Sequence, residues 1–465
     1  MKWVGVSFAS GLPNEVDPWV LSANNLISVL VIVAVTTLYS TTGGLRSVVQ
    51  TDVMQLGLML VGTVAYAGWV LYEVGGFSAM HEAIRARFDA SSAITAEQIT
   101  AFTPGWAKEA GFAVLAAFGL QWLLQINADG TGYLAQRSMA CRSDEDARVA
   151  SVWFTVTQVL LRSLLWVPIG LGLLVLFPLD GVSGDLALRL REATYVQGMS
   201  DLLPPGVLGL MVAGMLAALA STVDTHLNWG ASYWTNDIYA RFICRSWLKR
   251  EPEGRELVWV ARASNVLILA IALATMTQLS SIRETWQASL LLGAGIGPML
   301  VGRWLWWRFN AWGEIASIVA SLVALPVILA LIPSEQYALR LLVMALVATV
   351  TGTGVALLIG PEERETLENF YRRVRPPGFW GPIAQTVGDQ SESPQQRLWD
   401  GLKGMGLWGL AVFSLLIGLG SWLADSPAPA WFPVSAAWSP LLLVVGGVSV
   451  FYARGGLKRH SPSTE

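Results

Sequence analysis

The distribution of apolar residues constrains this chain more than any other feature of its sequence. Of its 465 residues, 54% are hydrophobic and only 14% are charged, and the mean hydropathy is +0.51. Apolar windows of about 18 residues or more, long enough for a helix to cross a bilayer, occur about eleven times. The predicted spans are 19–40, 53–74, 109–128, 150–177, 206–227, 257–279, 285–306, 312–332, 338–360, 404–424 and 435–453. We therefore predict an all-α polytopic membrane protein.

The basic residues predict how these spans are oriented. Alternate connections carry about 20 Lys and Arg on one side and about 6 on the other, and cytoplasmic loops are the ones enriched in these residues. The C-terminus is therefore expected in the cytoplasm and the amino terminus outside, in a multi-pass protein of the plasma membrane. Residues 1–18 carry no export signal, so we expect a further upstream part. The net charge of −3 gives no basic footprint, so no nucleic-acid partner is expected.

Hydroxyl and other polar side chains cluster at the end of the span that begins near Gly206. Gly214, Ala218 and Thr222 recur every fourth residue, the small-residue spacing that lets another helix approach closely. The polar cluster that follows is Ser221, Thr222, Asp224, Thr225, His226 and Asn228. Na⁺ exchanges water for such oxygens, which favours an ion site. The alternative is that the hydroxyls bond the backbone one turn back.

A polar stripe on the third predicted span is the first candidate for solute binding. Gln121, Gln125 and Asp129 are four residues apart, hence on one helical face, and Asn127 lies among them. The stripe runs into Gly130, and unwound backbone at membrane depth is a transporter device for presenting carbonyl groups. The alternative is that Asp129 and Gly130 only end the span at the inner surface.

Arg162 is the second candidate, because it falls near the middle of the fourth predicted span. A charged side chain there costs about 2.5–3.5 kcal/mol on insertion scales, so it should face the protein interior. Gln158 lies one turn away, and Gln287 starts the seventh span. An arginine fork suits a carboxylate, which predicts a small carboxylate-bearing solute such as an amino acid or organic acid. The alternative is a structural pair with Asp129.

Two further segments are placed by their local patterns. Residues 43–52 form an inner turn that delivers Asp52 to the second span, where its carboxylate could cap the helix N-terminus. The connections 77–108 and 361–403 contain amphipathic stretches, the latter with Leu367, Phe370 and Tyr371 among charges. We expect both connections to lie on the membrane surface, against lipid.

Three motifs together resemble the sodium:solute symporter family. They are STTGGLRSVVQTDVMQ, GYLAQRSMACRSDEDA and AALASTVDTHLNWGASYWTNDIYARF, in the family's order, and the resemblance covers about residues 20–330. It implies a LeuT-type inverted-repeat scaffold whose first repeat is incomplete here, since the family has four helices before the first motif. It also implies a single transmembrane transporter domain, 1–465, with a core at 19–332 and additional helices at 338–453.

The resemblance also implies roles for individual residues. Ser221 and Thr222 would give side-chain oxygens, and Ala218 a backbone carbonyl, to a sodium site. Asp52 would lie on the cation pathway, to which we also assign Asp224 from its place in the polar cluster. Two further positions differ from the sugar-carrying members: Gln158 replaces a lysine near the substrate, and Asn127 replaces a gating aromatic residue. A neutral sugar is therefore not the expected solute.

We expect sodium-coupled symport of a small organic solute by alternating access, with Na⁺ as the coupling ion. Two alternatives stay open: a membrane sensor or remnant that binds solute without moving it, and a proton-coupled carrier that uses Asp224 and His226. An enzyme is not expected, because the sequence contains no HExxH, CxxC, GxSxG or GxxxxGKS pattern. No obligate protein partner is expected beyond solute and lipid.

Overall fold

The structure is a computed structural model that describes residues 27, 30–31, 45–88, 94–102, 137–179, 181–182, 184–276, 282–429 and 431–459. Its helices are α1 (Leu45–Val74), α2 (Gly76–Arg87), α3 (Ala96–Thr100), α4 (Asp144–Thr155), a π-helical stretch (Val156–Leu161), α5 (Arg162–Leu176), α6 (Gly184–Leu202), α7 (Pro205–Ser232), a second π-helical stretch (Tyr233–Trp247), α8 (Gly254–Met276), α9 (Ile282–Leu305), α10 (Ala311–Leu331), α11 (Tyr337–Ile359), α12 (Arg364–Val374), α13 (Gly381–Val387), α14 (Pro394–Ala424) and α15 (Trp438–Arg459).

Within the described residues, nine helical segments are long and apolar enough to cross a membrane. They are Val49–Val74, Asp144–Leu176, Pro205–Trp247, Gly254–Thr275, Thr285–Leu305, Ala311–Leu331, Tyr337–Ile359, Pro394–Ala424 and Ser435–Ala453. Each coincides with a span predicted from the sequence. The predicted span 109–128 and most of 19–40 lie outside the described residues. The chain is a helical multi-pass membrane protein, as the hydropathy pattern predicts.

Local sequence signals explain where several of these helices begin and end. Ser143 precedes α4 and accepts a hydrogen bond from the Asp146 amide at 3.1 Å. Asn310 caps α10 in the same way, accepting from the Gly313 amide at 2.9 Å. Such caps satisfy amides that have no partner within the helix. Arg375 ends α12 in the left-handed conformation, with φ 47°.

The described helices divide into two compact units, which are described separately. The first unit, residues 1–76 and 172–278, contains α1 packed on α7, together with α6 and α8. A Cβ added at Gly214 of α7 would lie 3.3 Å from the Met59 Cα atom, and one at Gly62 of α1 would lie 2.9 Å from the Met211 Sδ atom. The two backbones therefore meet at glycines, as small-residue packing in membranes requires.

A buried tyrosine pair ties α1 to α6 in the same unit. Tyr66 is fully buried, and its hydroxyl donates to the Tyr195 carbonyl at 2.9 Å. The two rings meet edge to face, with centroids 5.3 Å apart. Gly198 allows this contact, because a Cβ there would lie 2.4 Å from the Tyr66 hydroxyl.

The second unit, residues 77–171 and 279–465, contains a bundle of α9, α10 and α11. Its buried apolar cluster consists of Leu291, Ala294, Ile328, Leu341 and Met344. Polar ties join the same helices: the Ser317 hydroxyl donates to the Gly295 carbonyl at 3.0 Å. The predicted division of the chain into a core and additional helices stays a prediction.

The connection 361–403 folds as a small layer of its own instead of exposing its apolar face to lipid. Leu367 and Tyr371 of α12 are buried against Trp380, Ile383 and Ala384. The Trp380 indole donates to the Trp304 carbonyl at 2.7 Å, which fastens the layer to the end of α9. The expectation that these apolar residues face the membrane is corrected, because α13 covers them.

The same correction applies to α2, which belongs to the other connection expected on the membrane surface. Its apolar residues Met80 and Ile84 are buried within the second unit. The neighbouring His81 ring lies 3.0 Å, through Nε2, from the Leu423 carbonyl at the end of α14. Arg85 forms an ion pair with Asp425 just beyond it. Protein contacts therefore account for the amphipathic pattern.

We expect Gly214→Val to destabilise the protein, because a side chain there meets the backbone of α1. Overpacking of this kind costs roughly 1–3 kcal/mol. Thermal unfolding of the detergent-solubilised protein measures the effect. Gly209→Val is the matched control, since Gly209 lies on α7 with nothing within 4 Å of an added Cβ. Equal melting temperatures for the two variants would contradict the close contact.

Asp389 gives a prediction for the dependence of the α12–α13 layer on pH. Hydrogen bonds from Ser391, and then from Tyr371 and Arg397, hold the pKa of the Asp389 carboxyl well below its ordinary value of 3.8. The ionised form therefore stabilises the layer above about pH 4, the range of the unfolded carboxyl. That stabilisation is lost as the pH falls further, through the lowered pKa of the folded state.

Amide hydrogen exchange over residues 364–397 measures this effect. We expect Asp389→Asn to increase exchange at pH 7 and to remove the extra loss of protection below pH 4. Asp400→Asn is the control, because Asp400 contacts only Lys403, at 3.5 Å, among the ion pairs of the described residues. An unchanged exchange pattern in Asp389→Asn would refute the role of this carboxylate.

Candidate functional site

The two hydroxyls predicted to bind sodium share one acceptor on α7. The Ser221 hydroxyl donates to the Ala218 carbonyl at 3.0 Å, and the Thr222 hydroxyl donates to the same carbonyl at 2.9 Å. Both hydroxyl hydrogens are thus used, while each hydroxyl oxygen keeps lone pairs that can face a cation. The Ala218 carbonyl takes both bonds, so it becomes a ligand only if at least one hydroxyl turns away.

Asp52 lies two turns inside α1, because that helix begins at Leu45. The interpretation of Asp52 as an N-terminal cap is therefore wrong, since its carboxylate is beyond the first turn. The contacts at Gly62 with Met211 and at Gly214 with Met59 define an antiparallel register between α1 and α7. When this register is extended toward the start of α1 and the end of α7, the half-buried Asp52 falls at the level of Ser221.

Asp224 follows the hydroxyl pair on the buried face of α7. It is only 1% exposed, and the Asn228 side-chain amide donates to its Oδ1 atom at 2.5 Å. A carboxylate at membrane depth is costly and usually functional. The His226 ring lies 2.8 Å, through Nδ1, from the Thr222 carbonyl, so it is held on the same helix.

In the second unit, Arg162 is held between two residues of its own helical segment. With its amide turned so that the oxygen faces the guanidinium, Gln158 accepts from Arg162 Nη1 at 2.8 Å and Nη2 at 3.1 Å. On the other side, the guanidinium carbon lies 5.0 Å from the Trp166 ring centroid. Gln158 itself lies in the π-helical stretch Val156–Leu161, a geometry that is frequent at functional sites.

The other residues predicted for solute binding are not joined to Arg162 by the described contacts. Gln287 lies in α9, where its carbonyl accepts from the Tyr337 hydroxyl at 3.2 Å. Gln121, Gln125, Asn127 and Asp129 lie outside the described residues. Their convergence with Arg162 stays a prediction, as does the structural pair between Arg162 and Asp129.

Gln55 is a polar residue of these helices to which the sequence analysis gave no role, and Asn228 was included there only as a member of the polar cluster. Asn228 lies one turn after Asp224, the spacing at which its amide reaches that carboxylate. Gln55 is three residues after Asp52 and ends the first family motif, so it falls on the same face of α1. Helical spacing was the signal that could have identified both.

The fold and these polar residues define a helical multi-pass membrane protein with ionisable groups inside its spans. The family model for the sodium:solute symporter family matches residues 19–321. The chain belongs to the sodium:solute symporter family, which confirms the resemblance seen in the three motifs.

The match to each individual relative covers only part of that relative's length. The chain is 27% identical to the sodium/mannose cotransporter of Bos taurus, over 55% of this chain and 44% of that protein. It is 26% identical to the sodium/glucose cotransporter of Vibrio parahaemolyticus, over 68% of this chain and 59% of that protein. It is 24% identical to the sodium/proline symporter of Salmonella typhimurium, over 62% of this chain and 54% of that protein. The chain thus spans about half the length of the curated relatives it matches.

Proposed function

We propose that this protein is a sodium-coupled symporter of a small organic solute, working by alternating access. The observation that carries the proposal is the polar part of the α1–α7 contact, where Asp52 lies at the level of Ser221. Membership of a family whose matched members are named as sodium cotransporters supports Na⁺ as the coupling ion. The excess of basic residues on that side supports a cytoplasmic C-terminus.

In this proposal, Na⁺ binds to oxygens of Ala218, Ser221 and Thr222. The ion displaces at least one of the two hydroxyl hydrogens from the Ala218 carbonyl, because the two lone pairs of that oxygen are used by the hydroxyl hydrogen bonds. Asp52 provides a negative charge on the route of the ion along α1. Because Na⁺ binds one state more tightly than the other, it shifts the population toward the state that holds solute.

We expect Ser221→Ala combined with Thr222→Ala to remove the Na⁺ dependence of uptake while the protein stays folded. The two hydroxyls are offered as ion ligands, and alanine supplies none. Uptake of labelled proline and glucose into proteoliposomes, at varied Na⁺ concentration, measures the effect.

The control is Ser151→Ala combined with Thr155→Ala. These hydroxyls make the same kind of backbone bond, to Ala147 at 2.8 Å and to Ser151 at 2.9 Å. If both double variants lose the Na⁺ dependence of uptake equally, the cause is the loss of hydroxyl-to-backbone hydrogen bonds in general. If the Ser221→Ala and Thr222→Ala variant keeps its Na⁺ dependence, these two residues are not part of the ion site.

For the solute, we propose a carboxylate-bearing molecule such as an amino acid or organic acid. Arg162 carries the argument, because it places a guanidinium on a span, where Gln158 and Trp166 hold it in place. A guanidinium pairs with a carboxylate through parallel charge-assisted hydrogen bonds. The relatives do not decide the class, since their names include mannose, glucose and proline.

We expect Arg162→Gln to weaken binding of proline or lactate by roughly 1.5–3 kcal/mol, about 10- to 150-fold, and to leave glucose binding unchanged. The loss reflects one charge-assisted contact. Equilibrium binding to the purified full-length protein measures it. Arg262→Gln is the matched control, because Arg262 is also on a span and stacks on Trp259, at 5.6 Å. The proposed solute class is wrong if the native protein binds glucose more tightly than proline or lactate, or if Arg162→Gln leaves the binding of proline and lactate unchanged.

A proton-coupled carrier is the second candidate function. The observation that favours it is Asp224, a carboxylate only 1% exposed within a span. Under this alternative, uptake follows a pH gradient in the absence of Na⁺, and Asp224→Asn abolishes that response. Under the main proposal, uptake follows the Na⁺ gradient and the pH gradient alone drives none.

A further inference from the structure

An apolar groove lies at the end of α9, within the second unit. It has a volume of about 380 Å³ and is lined by Gly302, Leu305, Trp306, Phe309 and Phe379. Four of these residues have large apolar side chains and the fifth is glycine, so the groove suits an apolar occupant. Exposed apolar surfaces of this kind mark binding sites.

The backbone of the connection after α12 forms one wall of the groove. The Phe379 amide donates to the Leu305 carbonyl at 2.6 Å, and Trp306 and Phe379 form a short parallel bridge. Side chains alternate along extended backbone. Gly378 and Trp380 are therefore buried, while Phe379 between them is 59% exposed. The fold thus presents Phe379 to the groove.

Phe309 forms the opposite wall, where the span ends. Its ring meets the Trp306 ring edge to face, with centroids 5.2 Å apart. Gly302 makes room for it, since an added Cβ would lie 2.3 Å from the Phe309 ring. The membrane-spanning segment of α9 ends at Leu305. The groove therefore lies at the boundary between hydrocarbon and headgroups, where the apolar matter at hand is lipid acyl chains.

Two arginines adjoin the groove in the chain. Arg308 directly precedes Phe309, and its guanidinium carbon lies 5.9 Å from the Trp307 ring centroid. Arg375 ends α12, four residues before Phe379. Both arginines are exposed, and neither is paired with an acidic side chain among the described residues. Two positive charges therefore remain available beside the groove.

The carboxylates of this region do not neutralise those charges. Glu314 pairs with Arg303 at 3.0 Å, and Asp389 pairs with Arg397 at 2.8 Å. The other acidic residues near α12 lie at its start: Glu362, Glu363 and Glu365. Because α12 has 11 residues, its two ends are about 16 Å apart, and Arg375 is at the far end. The charge beside the groove is thus complementary to an anion.

We infer that the groove binds an acyl chain of an anionic phospholipid, whose phosphate lies at Arg308 and Arg375. Guanidinium groups bind phosphate through parallel charge-assisted hydrogen bonds. Anionic lipids are concentrated in the cytoplasmic leaflet, the side on which these basic residues are predicted to lie. The lipid would join the end of α9 to the α12–α13 layer, since Leu305 and Phe379 line the same groove. The inference is independent of the proposed function, because it uses no residue assigned to Na⁺ or solute.

The experiment is native mass spectrometry of the purified, delipidated full-length protein during titration with lipid. Dioleoylphosphatidylglycerol and dioleoylphosphatidylcholine are compared, because they have the same chains and only the first has a net charge. We expect the native protein to bind phosphatidylglycerol more tightly. Arg308→Gln combined with Arg375→Gln should weaken that binding about fivefold for each arginine, roughly 25-fold together, and remove the preference.

The control is Arg142→Gln combined with Arg148→Gln. This pair removes the same charge from a connection predicted on the same side of the membrane, and neither residue lines the groove. It should keep the native preference. Phe379→Ser tests the groove itself, and we expect it to weaken both lipids by the same factor because it removes an apolar wall.

Several outcomes would overturn the inference. The Arg308 and Arg375 variant could bind phosphatidylglycerol like the native protein, or the control pair could lose as much, which would make net charge the cause. Unchanged lipid binding in Phe379→Ser, or displacement of the lipid by inorganic phosphate, would show that no acyl chain occupies the groove. A lipid-free dimer that Phe379→Ser dissociates would assign the groove to a second copy of the chain. If the double arginine variant does not fold, Phe379→Ser and the competition with phosphate decide.

Discussion

The close approach of α1 and α7 determines where the polar groups of the first unit can meet. In lipid, apolar side chains gain little by leaving the solvent, so helices associate through backbone proximity and packing. Gly214 and Gly62 provide that proximity, because a Cβ added at these positions would lie only 3.3 Å and 2.9 Å from atoms of the facing helix. Two such contacts also set the register. What is proposed for Asp52 and Ser221 follows from that register.

The sequence predicts the spans well because a span is a local property. A run of about 18 apolar residues has one structural solution in a bilayer, a helix. The contact face is predicted less well. Gly214, Ala218 and Thr222 were expected to share it, but Thr222 is exposed while Ser221 and Asp224 turn inward. Residues four apart drift by about 40° around a helix of 3.6 residues per turn, so a fourth-residue pattern leaves the face after two turns.

The sequence does not show which residues distant in the chain are in contact. The apolar residues of α12 match a helix lying on lipid, yet Leu367 and Tyr371 are covered by α13. An amphipathic pattern states only that one face is covered, not by what. Arg162 is the converse case: its contacts with Gln158 and Trp166 are one turn away on either side and were readable from spacing.

In the proposed function, the two interpretations of the α7 hydroxyls, a backbone tie and an ion site, describe two states of the same atoms. Without the ion, each hydroxyl is satisfied by the Ala218 carbonyl, at a net gain of about 0.5–1.5 kcal/mol per bond. A cation that binds at Ala218 must displace at least one of these bonds, so its binding energy is reduced by that amount. These two bonds therefore satisfy the hydroxyl groups of Ser221 and Thr222 at membrane depth when no ion is bound. In the proposed function, they also make the affinity for Na⁺ depend on the geometry of α7, which is the differential binding that any coupling to solute requires.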